Sequence, residues 1–83
     1  MGSVIKVATL DDVPTGLPVV VQRPHLTPAY TRRLAELGIR HGALVSVLMR
    51  TVGGAGVITV DNSRIALDST TMRQIPVASQ ERT

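Results

Sequence analysis

The chain has 83 residues, no cysteine and a formal charge of +3, from eight arginines and one lysine against six acidic residues. This is the size of a single small domain, here residues 1–83, and the missing cysteine excludes a disulfide framework, a thiolate nucleophile and any cysteine-ligated zinc or iron–sulfur site. No apolar run approaches the roughly 18 residues of a bilayer span, and Met1–Leu10 lacks the basic-then-apolar pattern of a signal peptide, so a cytoplasmic address without membrane insertion is expected.

Twelve valines against eight leucines tilt the chain toward strand. In chain order, Val4–Val7 reads as an opening strand. Thr9-Leu10-Asp11-Asp12-Val13 reads as a turn whose free amides are met by the Thr9 hydroxyl. After the break at Pro14-Thr15-Gly16, Leu17–Gln22 is the clearest strand of the N-terminal half, closed by Pro24. Thr27-Pro28 then opens a helix: threonine is a good N-cap, and proline at the first helical position gives up only an amide that has no partner. Tyr30, Leu34 and Leu37 fall at i, i+4 and i+7, which places them on one face, assigned to the core.

That helix runs to Leu37 and stops at Gly38, with Ile39 positioned to fold back onto Leu34. Gly42 turns the chain into a strand over Leu44–Arg50. The residues Gly53-Gly54-Ala55-Gly56 form a loop and Val57–Val60 the next strand. Asp61-Asn62-Ser63 is a tight turn in which Asn62 tolerates positive φ. Arg64–Leu67 is a further strand, Asp68–Met72 a helical turn capped by Asp68 or Ser69, and Ile75–Ala78 the closing strand. Residues 79–83 form a polar tail expected to fray. Five or six short strands and one helix (about Thr27–Leu37) describe a mostly β protein, a small barrel in which closure removes exposed strand edges.

Chemistry is sparse. The two histidines, His25 and His41, stand sixteen residues apart, and no spacing supplies the three or four ligands a zinc site needs. Asp11, Asp12, Asp61 and Asp68 occupy turn and cap positions, where carboxylates bond locally to backbone. Gly53, Gly54 and Gly56 lack the Gly-Lys-Ser/Thr ending of a phosphate loop. No nucleophile elbow is present, so no catalytic residue, cofactor or metal site is assigned and the chain is read as a non-enzyme. One tyrosine and scattered arginines argue against a nucleic-acid surface, which concentrates cations and interleaves aromatics. The same shortage excludes an aromatic groove for polyproline segments.

The order Arg33-Leu34, Leu37-Gly38-Ile39, Gly42, Val45 and Val47, continued by Ile58, Val60, Asn62, Ile65-Ala66-Leu67, Ile75 and Val77, resembles the FeoA family of bacterial ferrous iron uptake over about residues 9–78. The resemblance implies an SH3-like β-barrel with its helix between the first two main strands. It also implies a non-catalytic cytoplasmic protein that contacts FeoB, a GTPase-bearing membrane permease. The same module forms the C-terminal part of some metal-dependent repressors. This chain shows neither their DNA-binding helix-turn-helix nor their dimerisation region, so a complete repressor is not expected. Departures from the family pattern include Ala55-Gly56, Asp68 and Met72. The alternatives are a FeoA-like module serving another partner and a small nucleic-acid-binding barrel. For the partner surface the chain offers Arg40 and His41 in the turn after the helix and Arg50 at the end of the next strand, arginine being favoured at interfaces for its planar fork and apolar stem.

Purified protein is expected to hold no stoichiometric metal, measured by elemental analysis. Tight one-to-one binding of Fe²⁺ or Zn²⁺ that is lost in His25→Ala or His41→Ala would make the protein a metal carrier instead.

Overall fold

The computed structural model describes residues 7–24 and 26–79. Six strands, β1 (Val7–Thr9), β2 (Val19–Val21), β3 (Leu44–Arg50), β4 (Gly56–Val60), β5 (Ser63–Leu67) and β6 (Pro76–Ser79), form one antiparallel sheet in the order β1-β6-β2-β3-β4-β5. Helix α1 (Pro28–Glu36) connects β2 to β3, and α2 (Ser69–Gln74) connects β5 to β6. The fold is thus the mostly β SH3-like architecture expected. No helix among the described residues is long and apolar enough to cross a membrane. Of the opening strand expected over Val4–Val7, residues 4–6 lie outside the described residues, as does the tail beyond Ser79.

The sheet is not flat. β1 and β3 are three strand spacings apart in the order, about 14 Å at the usual spacing. Yet the segment after β1 crosses back so far that the Gly16 N–H donates to the Val47 carbonyl of β3 at 2.8 Å. α2 packs against the 3-10 turn Leu10–Asp12 that follows β1, bringing the two ends of the strand order round one core. That core takes alternate residues of the strands: Val19 and Val21, Val45 and Val47, Ile58 and Val60, with Leu67 and Val77. Leu10, Leu34, Ile39, Met72 and Ile75 fill it from the turns and helices.

Helix α1 begins as its sequence requires, with the Thr27 hydroxyl accepting from the Tyr30 N–H at 3.3 Å and Pro28 in the first turn. It ends in a Schellman motif: Ile39 N–H donates to the Leu34 carbonyl and Gly38 N–H to the Ala35 carbonyl, both at 2.9 Å. Gly38 has φ +97°, and a Cβ there would stand 3.0 Å from Val60 Cγ1. The reversal changes which residue is buried. Leu37, expected in the core, is the C-cap and 47% exposed, while Ile39 swings under the helix end and joins Leu34 in the core at 1% exposure. Tyr30 is half-buried, and its hydroxyl meets that of Thr71 on α2.

Two further local readings are refined. Thr9 occupies the cap of the Leu10–Asp12 turn, but its hydroxyl caps no amide; it lies 3.4 Å from Asp12 Oδ2 instead. In α2 the cap is Asp68, whose carboxylate accepts from the Thr71 N–H at 2.8 Å. The Thr71 hydroxyl, then its backbone N–H, hold that carboxyl below its ordinary pKa. Its contribution to stability is therefore present above the unfolded pKa and lost as the pH falls through the folded one.

Leu34→Ala is expected to cost about 2–5 kcal/mol and Gly38→Ala about 1–2 kcal/mol from left-handed strain, measured by chemical denaturation. Leu37→Ala should stay within about 0.5 kcal/mol of wild type, as for an exposed site. The reverse order for the two leucines would mean that α1 presents its other face.

Candidate functional site

Residues 40–43 form a β-turn closed by the Ala43 N–H donating to the Arg40 carbonyl at 2.9 Å, with Gly42 at φ +93° in the third position. A left-handed third residue is the requirement of a type II turn, and glycine meets it without strain. The turn is anchored to the end of β2 by two backbone bonds: Gly42 N–H to the Val21 carbonyl at 2.7 Å, and Val21 N–H to the Ala43 carbonyl at 2.8 Å. Two residues thus face one, a bulge that ends the regular pairing seen at Val20↔Leu44. The consequence is a short rigid corner that holds Arg40 and His41 at its tip, both exposed.

Arg23, two residues beyond Val21, is exposed. The pairing of β2 with β3 that anchors the 40–43 turn to Val21 carries no hairpin signal in the sequence, because α1 stands between the two strands.

Arg50 is placed elsewhere. It ends β3, and the six residue steps from Leu44 at about 3.3 Å each put it about 20 Å from the start of that strand. Its guanidinium, half-buried, donates from one nitrogen to the Leu10 carbonyl at 3.1 Å and to the Val13 carbonyl. These carbonyls belong to the turn after β1, so the side chain ties the end of β3 to the segment that follows β1, three strands away in the order. The structure brings Arg40 and His41 together and does not bring Arg50 to them.

Among the described residues, no three histidine, aspartate or glutamate side chains gather as metal ligands would. His25 lies outside the described residues. Arg40 at the tip of this turn is an exposed guanidinium, a group whose planar fork matches carboxylate geometry.

Arg50→Met keeps the stem and removes the donors, leaving the Leu10 and Val13 carbonyls without that partner. The expected loss of stability is about 1–3 kcal/mol, read by denaturation. A loss within error would show that the link is dispensable.

The FeoA domain matches residues 8–79. Among solved structures, an iron uptake regulatory protein (FeoA) is 22% identical, covers 87% of this chain and 96% of its own, and superposes with a TM-score of 0.79. FeoA of Stenotrophomonas maltophilia, solved with zinc and described as a prokaryotic SH3 domain protein, is 28% identical, with coverage of 83% and 87% and a TM-score of 0.69. A manganese-dependent transcriptional repressor is 24% identical with a TM-score of 0.79; the match covers 93% of this chain but only 44% of the repressor. No curated protein matches the sequence. With the family's domain spanning residues 8–79 of 83, this chain belongs to the FeoA family.

Proposed function

We propose that this protein is a cytoplasmic accessory factor of bacterial ferrous iron uptake, working without catalysis by contact with the cytoplasmic portion of a FeoB-type GTPase permease. Membership of the FeoA family carries this reading. The S. maltophilia relative, described in connection with activation of ferrous iron transport, supports it. Its contact surface is centred on Arg40 and His41, and Arg50 acts from within by holding the barrel closed. The exposure of the corner and its backbone anchoring support this assignment. A fixed loop loses little conformational entropy when a partner docks, so its charges act at full effect.

A second reading, the same module serving a different protein, is favoured by the repressor match, in which this fold forms less than half of a longer chain.

Binding of the purified protein to the cytoplasmic portion of a FeoB-type permease, measured by calorimetry, is expected to weaken at least tenfold in Arg40→Ala/His41→Ala and to lose part of its salt dependence. The double variant should unfold at the wild-type denaturant midpoint. Unchanged affinity in a folded double variant would remove the corner from the contact. A wild-type protein that binds no such permease would favour the second reading.

A further inference from the structure

A cleft of about 270 Å³ opens between the segment that follows β1 and the strands β1, β6 and β2. Register sets Ala8 opposite Val77 and Val19 opposite Ser79, and the core residues Val19 and Val77 form part of its floor. Val13, Pro14 and Leu17 line it from the segment side, Leu17 being 45% exposed. Backbone bonds fix that segment in place. The Leu10 N–H donates to the Ile75 carbonyl at 3.1 Å and the Gly16 N–H to the Val47 carbonyl at 2.8 Å, while Arg50 holds the Leu10 and Val13 carbonyls. The cleft is thus preformed and mostly apolar, as binding sites are, and its size suits one long side chain.

Among the described residues, Asp12 is the one charged side chain in the lining. Asp12 is exposed, with the Thr9 hydroxyl 3.4 Å from Oδ2 as a distant partner. Arg50 reaches the Val13 carbonyl but does not itself line the cleft. Charge and burial together decide what can fill such a site. A purely apolar side chain would take water from the carboxylate and return no donor. An acidic side chain, or the phosphates of a nucleic acid, would set like charges together. A long basic side chain meets both demands, because its methylenes lie on apolar surface while its charged end stays at the mouth.

We propose that this cleft receives a lysine or arginine side chain of a partner protein, its stem on Leu17, Val19 and Val77 and its charged end on Asp12. The site shares no residue with the corner that carries Arg40 and His41. It goes beyond the transporter reading and does not rest on it.

Peptides are selected from a random display library on the folded protein, with counter-selection on Leu17→Ser to keep only those that use the cleft. The recovered peptides are expected to share a Lys or Arg at one position. Their amide shift perturbations should centre on Ala8, Val13, Leu17 and Val77. Asp12→Asn keeps the shape of the side chain and removes its charge. It should weaken the selected peptide about tenfold and flatten the salt dependence of binding. Replacing the shared basic residue of the peptide with norleucine should do the same. Asp12→Asn and Leu17→Ser should keep the wild-type denaturation midpoint, and Asp61→Asn, in the β4–β5 turn, should leave binding unchanged. Asp12→Lys used as bait should turn the selection toward acidic peptides. Recovery of peptides without a shared basic residue, full binding by Asp12→Asn, or shifts mapping elsewhere overturns the proposal. Binding of n-pentylammonium in the absence of any basic peptide assigns the cleft to a small amine, and self-association that perturbs these same amides assigns it to a second copy; either overturns the proposal. A protein that passes the peptide experiment but binds no FeoB-type permease keeps the cleft and removes the transporter reading.

Discussion

The passage from α1 into β3 rests on two left-handed backbone reversals within five residues, at Gly38 and Gly42. The first lets Ile39 return beneath the helix and donate to the Leu34 carbonyl, so one short segment both ends α1 and adds a large side chain to the core. The second bends the chain into β3 and creates the bulge against Val21. Between them stand Arg40 and His41, held out by backbone bonds on either side. A Cβ at Gly38 meets both an unfavourable φ and the wall of Val60, while at Gly42 it meets open space and pays only for its φ. The helix stop is therefore a packing constraint as well as a conformational one. The second turn is conformational alone, which leaves its outer surface available for contact.

The other constraint is closure. A sheet of three- to seven-residue strands buries little unless its ends are brought round. Here the closing contacts come from irregular segments: the Gly16 amide on the Val47 carbonyl, the Arg50 guanidinium on the Leu10 and Val13 carbonyls, and α2 over the turn after β1. The first two satisfy an amide or carbonyls of turn segments, and the third packs a helix on one, so the loops are part of the framework. Arg50 illustrates how the same side chain chemistry serves two ends. A guanidinium that would be a good interface residue in the open is, at this position, an internal tie.

Much of the fold was legible in the residues because its signals are local. Thr27-Pro28 and Gly38 mark the helix, Asp61-Asn62 its two-residue hairpin with both φ angles positive, and Asp68 the cap of α2. The FeoA resemblance rests on the same fold-determining positions. What was not legible depends on geometry across the chain. Leu37 continues the helical period but lies at the cap, where the backbone has already begun to turn, so Ile39 takes the buried place. Arg50 reads as a strand-end cation, and only the curl of the sheet shows that it faces carbonyls. The outer row of Ser46, Thr59 and Arg64 is hidden for the same reason, since its members come from three strands.

The inner and outer faces of the sheet answer different demands, and that division explains the chain's composition. With one tyrosine and no phenylalanine or tryptophan, the core is assembled from small branched side chains, which pack well on a pleated surface but leave little large apolar area for recognition. A partner surface on such a barrel has to draw specificity from charge and hydrogen bonding around a few exposed aliphatics. The outer row has this character: Leu44 half exposed, the Ser46 and Thr59 hydroxyls bonded to each other, and Arg64 opposite Thr59. Contacts of this kind gain rate and selectivity from electrostatics more than strength from buried area.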